Sequence, residues 1–161
     1  MALSDMQARQ RDFWQAACGA VAGLPATGEY QIWHFGDSDS LARDLANLVL
    51  RGPKRATAGL LWEAELDPGM MPVQGGYSLV TDHAGAPLLI IRTTQVEIRP
   101  YREVDADFAA AEGEGDGSLR YWREAHGAYF SRRCEAIGRT PSDDMPVILE
   151  RFALVYPVGR P

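Results

Sequence analysis

The chain has 161 residues, with 22 Asp plus Glu against 16 Lys plus Arg, a formal charge of −6 and a pI near 5.0. A length inside the ~100–200 residues of one domain predicts a single domain over 1–161, with an N-terminal helical extension at about 1–28. The acidic balance argues against a broad basic face that coats duplex nucleic acid, because that mode neutralises many phosphates. A small basic pocket remains compatible with it. Two cysteines, Cys18 and Cys134, make no disulfide framework. Three histidines, His34, His83 and His126, show no ligand spacing, and no CxxC, HExxH or P-loop pattern occurs. No metal and no cofactor are therefore expected. The first residues lack a basic stretch leading into an apolar run, and no 18-residue apolar run is present to span a bilayer. The expectation is a cytoplasmic protein with no membrane partner; its oligomeric state is left open.

From Ser4 to Val21 the apolar residues Met6, Phe13, Trp14, Ala17 and Val21 recur at helical spacing. Gly23-Leu24-Pro25 ends that helix. Tyr30 to Phe35 alternates like a short strand. Asp37-Ser38-Asp39-Ser40 offers oxygens to cap a following helix, in which Leu41, Leu45, Leu48 and Val49 form one stripe. Gly52 then Pro53 stops it. A strand is predicted from Thr57 to Trp62, followed by a turn at Asp67-Pro68-Gly69. Two more strands, Tyr77 to Asp82 and Leu88 to Ile98, flank a turn at 83–87. A short helix is expected over Val104 to Ala111, then a glycine-rich acidic loop. Ser118 caps a longer helix whose Leu119, Trp122, His126, Tyr129, Phe130 and Ile137 share a face. A last strand runs from Val147 to Tyr156. Short strands with helices between them point to an α+β fold around a small mixed sheet or barrel.

Four groups of residues carry candidate chemistry. In Gly52-Pro53-Lys54-Arg55-Ala56-Thr57, a lysine sits three residues before a threonine, where a helix stops and a strand begins. A hydroxyl becomes a nucleophile when a base takes its proton. A lysine serves as that base when desolvation or neighbouring cations favour its neutral form; Arg51 and Arg55 are such cations. The structural alternative is a solvated Lys54 and a Thr57 that merely opens a strand. In Glu112-Gly113-Glu114-Gly115-Asp116, three carboxylates share five residues. They form either a solvated linker or a carboxylate delivered into a pocket for proton transfer, where crowding raises one member's pKa. Arg120, Tyr121, Arg123, His126, Arg132 and Arg133 interleave cations and rings, a pattern that holds phosphates and bases or simply splits into core and wet faces. Trp33-His34-Phe35-Gly36-Asp37 offers rings to a planar ligand or to the core. Glu150 lies among apolar neighbours, facing either solvent or an inward partner.

Together these pieces resemble the ASCH domain family. Gly52-x-Lys54-x-x-Thr57 is similar to the family's Gly-x-Lys-x-x-Thr signature. Phe35-Gly36-Asp37, Val80-x-Asp82, Gly85-x-Pro87, Phe108-x-x-x-Glu112-Gly113-Glu114-Gly115-Asp116-x-Ser118-Leu119, Trp122-Arg123, His126 and Glu150-x-Phe152 resemble its larger bacterial branch in the same order. The resemblance spans about residues 30–156. It implies an α+β, PUA-like small mixed β-barrel with flanking helices, and a cleft for nucleotide-like ligands. It further implies an amidohydrolase that removes acyl groups from N4-acylated cytidine nucleosides without a metal. Carried over residue by residue, the catalytic set is Lys54, Thr57 and Glu112, with Glu114 as the alternative carboxylate. Neutral Lys54 takes the Thr57 proton, Thr57 forms an acyl-enzyme, and the glutamate orients Lys54 or protonates the leaving amine. Phe35, Trp33, Arg55, Tyr121 and Ser131 are the substrate-binding candidates. The implied partner is a small-molecule nucleoside; the alternative is single-stranded RNA, bound or cleaved.

Overall fold

The computed structural model describes residues 2–158. The chain begins with helix α1 (Leu3–Ala20), which buries Trp14 and Ala17. Strand β1 (Gln31–His34) follows. Helix α2 (Asp39–Arg51) starts where the sequence places caps: the Ser38 hydroxyl accepts the Leu41 amide at 3.2 Å. Its most buried line is Ala42, Ala46 and Val49, with Leu41, Leu45 and Leu48 half-buried beside it. The expected leucine stripe is thus centred one residue further on. Small side chains line the closest approach and the leucines straddle it.

Strand β2 (Ala56–Leu60) is shorter than the run to Trp62. Leu60 pairs with Val147, the second residue of the neighbouring strand, and the first is Pro146, which has no amide to offer. Past that point the backbone must satisfy itself, and it does so in a single helical turn, α3 (Leu61–Ala64). The Asp67-Pro68-Gly69 turn is tightened into a 3-10 turn over Pro68–Met70. Strands β3 (Tyr77–Thr81) and β4 (Pro87–Pro100) are joined through Asp82. Its carboxylate accepts the Ala84 and Ala86 amides at 3.0 and 2.8 Å, an Asx-type turn. Helix α4 (Ala106–Glu112) is capped by Asp105. Helix α5 (Leu119–Ala136) is capped by Ser118, as its sequence predicts. Strand β5 (Pro146–Tyr156) closes the order.

The fold is mixed α+β. Its five-stranded sheet has the order β1-β3-β4-β5-β2. β1 and β3 are parallel, β3 and β4 antiparallel with an irregularity at Val80/Thr81, and β2 and β5 antiparallel. By backbone contacts the chain forms two compact units, each assembled from separate segments. The first holds residues up to Gly52, then Gly75–Thr93, then the segment from Ala153. Trp14, Ala17, Leu24, Leu79 and Ile90 are its buried cluster. Here Trp14 stacks on Tyr30 with centroids 3.9 Å apart, and its indole N–H donates to the Pro25 carbonyl at 2.9 Å. The second unit, Pro53–Gln74 and Thr94–Phe152, is centred on Tyr101, Val104, Phe108, Trp122, Phe130 and Leu149.

Candidate functional site

The second unit also encloses charge, and the backbone explains how. The Arg55 amide donates to the Ala111 carbonyl at 2.8 Å, and the Phe152 amide donates to the Arg55 carbonyl at 3.0 Å. These bonds clamp the segment after Pro53 between the end of α4 and β5. Gly113 stops α4 in the left-handed region, φ 63°. A Cβ there would stand 2.9 Å from the Lys54 backbone nitrogen, so only glycine fits both the turn and the approach. The outcome is that Lys54 and Glu112 face one another inside the unit. Lys54 is fully buried and Glu112 is 1% exposed. Lys54 is therefore not a solvated surface lysine. Glu112 is the last residue of a helix rather than part of a flexible loop.

Lys54 Nζ donates to Glu112 Oε1 at 3.1 Å, to Glu114 Oε1 at 3.5 Å and to the Ala56 carbonyl at 2.8 Å. From α5, Trp122 and His126 sit one turn apart on the buried face. The Trp122 indole N–H donates to Glu112 Oε2 in a short hydrogen bond. His126 Nε2 lies 2.7 Å from Glu112 Oε2 and 3.6 Å from Glu114 Oε2. The imidazole stacks on the Trp122 ring, with centroids 4.3 Å apart and planes 11° from parallel. Its Nδ1 is 3.1 Å from the Trp122 carbonyl oxygen. The four groups Lys54, Glu112, Glu114 and His126 thus form one continuous network.

Their environments push the two carboxyls apart. Burial raises the Glu112 pKa, but Lys54, then His126 and the Trp122 N–H outweigh it and hold the carboxyl at about 2. Glu114 is raised: burial is the largest cause, and the Glu112 charge adds to it against the pull of Lys54. His126 is raised as well. Burial acts against its charged form, but the Glu112 charge and hydrogen bond, then Glu114, prevail. The site therefore holds one firmly ionised carboxylate and one that takes up a proton readily. Active sites separate acid and base roles by such a divergence, and structural ion-pair networks produce it too.

The other expected site residues fall in several places. Thr57 is half-buried on β2, in register with the buried Glu150 on β5. Glu150 is thus an inward residue. Arg55 donates to the Lys54 carbonyl at 2.7 Å. Tyr121 is 40% exposed and lies over the acidic loop: a Cβ on Gly115 would come within 2.5 Å of its ring. Ser131 is exposed and its hydroxyl donates to the Gly127 carbonyl one turn back, at 2.7 Å. Trp33 and Phe35 belong to the first unit, where they pack edge to face, with Phe35 buried. The residue absent from the expected site set is His126. Its signal is the i, i+4 spacing from Trp122 on a helix that directly follows an acidic loop.

Glu112, Glu114 and His126 each bring a ligand-type atom within 4.8 Å of the others, as a cation site requires. Lys54 already places its ammonium against both carboxylates. A cavity of about 420 Å3 opens elsewhere in the same unit, lined by Glu97, Glu103, Asp105, Phe108 and Arg151 among others but by no member of the network. Two of its pairs are internal, Arg99–Glu97 and Arg151–Asp107, each at 2.8 Å. That leaves an acidic groove.

The family model described as "ASCH domain" matches residues 31–156. Among solved structures, the chain is similar to the ASCH domain from Lactobacillus crispatus JV V101. Identity is 35%, the TM-score 0.83, and the match covers 97% of this chain and 99% of that one. It is also similar to protein EF3133 from Enterococcus faecalis V583, with 30% identity, a TM-score of 0.77 and coverage of 96% and 92%. No curated protein matches the chain with significance.

Proposed function

The chain belongs to the ASCH domain family, and from that membership we propose that it is a metal-independent amidohydrolase acting on N4-acylated cytidine-type nucleosides. ASCH domains have the PUA-like fold and are associated with RNA-binding or hydrolase roles. The observation that carries the hydrolase reading is the buried Lys54–Glu112 pair at 3.1 Å, with Glu114 completing it. A charge pair taken wholly out of water is a poor stabilising device, because desolvation offsets much of the attraction. Its presence in a small domain fits a chemical task better.

In this reading Thr57 is the nucleophile and Lys54 its base. Glu112, ionised and held by Lys54, Trp122 and His126, fixes where Lys54 sits. Glu114 is less enclosed, with 12% of its side chain exposed, and its raised pKa suits exchange of a proton with Lys54. Lys54 first gives a proton to Glu114; the Thr57 oxygen then attacks the acyl carbonyl while its own proton passes to the neutral Lys54. The N4–acyl bond then breaks, and a proton from the Lys54–Glu114 pair goes to the departing amine. Water later cleaves the acyl–Thr57 ester. In the same reading Tyr121, whose ring lies beside the acidic loop, stacks on the pyrimidine.

The arginines of α5 support a small substrate over a long polyanion. Arg123 donates to the Arg102 and Val104 carbonyls, Arg133 pairs with Glu63, and Arg120 pairs with Glu124. The test is release of cytidine from N4-acetylcytidine in EDTA, with single-stranded RNA as a parallel substrate. Release by the natural protein and its loss in Lys54→Met are expected. Unchanged release by Lys54→Met, or cleavage of the RNA alone, overturns the reading.

A further inference from the structure

We infer that His126 is a positioning residue of this site: as a doubly protonated imidazolium it ties Glu112 to Glu114 and sets which of the two carries the exchangeable proton. The inference deepens the hydrolase reading and rests on it for its catalytic consequence only. Its geometric basis stands alone. A carbonyl oxygen can only accept a hydrogen bond, so Nδ1, 3.1 Å from the Trp122 carbonyl, bears a proton. Nε2 faces two carboxylate oxygens, at 2.7 Å on Glu112 and 3.6 Å on Glu114.

Glu112 already accepts from Lys54 on Oε1 and from Trp122 on Oε2. Donors on both oxygens favour the carboxylate over the acid. The proton between Glu112 and His126 therefore resides on Nε2, and the ring donates from both nitrogens.

The charged groups facing the ring complete the argument. Glu112 comes from α4, Glu114 from the loop after it, and Lys54 from the segment before β2. The aromatic neighbours Trp122 and Phe130 are on its own helix. Lys54 and His126 as cations balance Glu112 and Glu114 as anions. Of the two carboxyls, Glu114 has the fewer close donors, and burial already favours its protonated form. Glu114 is thus the member that gains and loses a proton, and the imidazolium limits how readily it does so. Trp122 holds the ring in place by stacking and through its carbonyl.

Nitrogen-15 NMR of the imidazole in the natural protein tests the assignment whether or not acylcytidine is turned over. Both His126 nitrogens are expected to remain protonated at a pH above the usual ~6.5 for histidine. A neutral ring there, in the folded protein, overturns the inference and leaves the hydrolase reading intact. The kinetic arm uses His126→Gln, which retains a donor for Glu112 and removes the charge. Its pH–kcat limb is expected to move up by about one unit, as an opposite charge within ~4–6 Å of a carboxyl dictates, with KM little changed. The same limb is expected to vanish in Glu114→Gln. A His126→Gln protein that is less stable but keeps the original limb shows a packing role only and refutes the positioning role.

Discussion

Two tryptophans anchor the two units, and they are nearly twins in packing. Trp14 and Trp122 are 2% and 1% exposed. Each stacks almost parallel on a neighbouring ring, Tyr30 for Trp14 and His126 for Trp122. Each donates its indole N–H to an oxygen within its own unit. The acceptor separates them. Trp14 meets the neutral Pro25 carbonyl, which ties the body of α1 to the segment that follows the helix. Trp122 meets an ionised carboxylate that also faces an ammonium and an imidazole. The same residue type thus closes an apolar cluster in one unit and orients a proton-carrying network in the other. The difference lies in what stands at the ring's polar edge.

The sharpest way to break this contrast is to unpair the network. Lys54→Met or Glu112→Gln leaves a buried partner uncompensated and is expected to destabilise by about 3–5 kcal/mol. Denaturant melts measure this, and acylcytidine hydrolysis is expected to fall by at least ~100-fold. The double variant Lys54→Met/Glu112→Leu removes both charges but still takes the acceptor from Trp122 and His126, and is expected to regain part of the stability and none of the activity. Trp14→Ala is expected to lose about 3–5 kcal/mol through its cavity, with the pH dependence of folding unchanged. Conservative changes are smaller and still unequal. Trp122→Phe deletes a hydrogen bond to a charged acceptor, about 1.5–3 kcal/mol, whereas Trp14→Phe deletes a neutral one, about 0.5–1.5 kcal/mol.

Acid titration separates the units further. The Glu112 carboxyl lies below its ordinary 4.5, at about 2, so its contribution is complete above 4.5 and is lost as pH falls through about 2. His126 is raised, so its contribution is complete below its ordinary 6.5 and lost as pH rises through its folded value. Glu114, raised, acts oppositely to Glu112 and offsets part of the acid loss. Melts against pH are expected to lose the Glu112 limb in Glu112→Gln and retain it in Trp14→Phe. The smallest effect belongs to Ser118→Ala. It removes the cap ahead of Trp122 and is expected to cost about 1 kcal/mol, read from the same melts.

What the sequence made legible was local. Ser38 and Ser118 cap the helices they precede, and Gly52 ends α2, because caps and stops are decided within a few residues. Strand β2 ended early because its limit is set by Pro146, far away in sequence, and periodicity does not see that. The leucine stripe of α2 gave way to alanines because the closest packing line depends on the partner surface. The same split runs through the site. Lys54, Thr57, Glu112 and Glu114 were visible as chemistry-bearing types. That Lys54 is wholly enclosed follows from the Arg55–Ala111 backbone bond, a non-local contact. His126 stood out on a buried helix face, but the carboxylates it meets belong to another element.

The central claim is tested most directly by following cytidine release from N4-acetylcytidine in EDTA, with the natural protein and Thr57→Val side by side. Thr57 is half-buried on β2, and valine retains its shape and β-preference while losing the hydroxyl. The account predicts turnover by the natural protein and a folded, inactive Thr57→Val. Equal rates from the two proteins, or no cytidine from the folded natural protein, would contradict it.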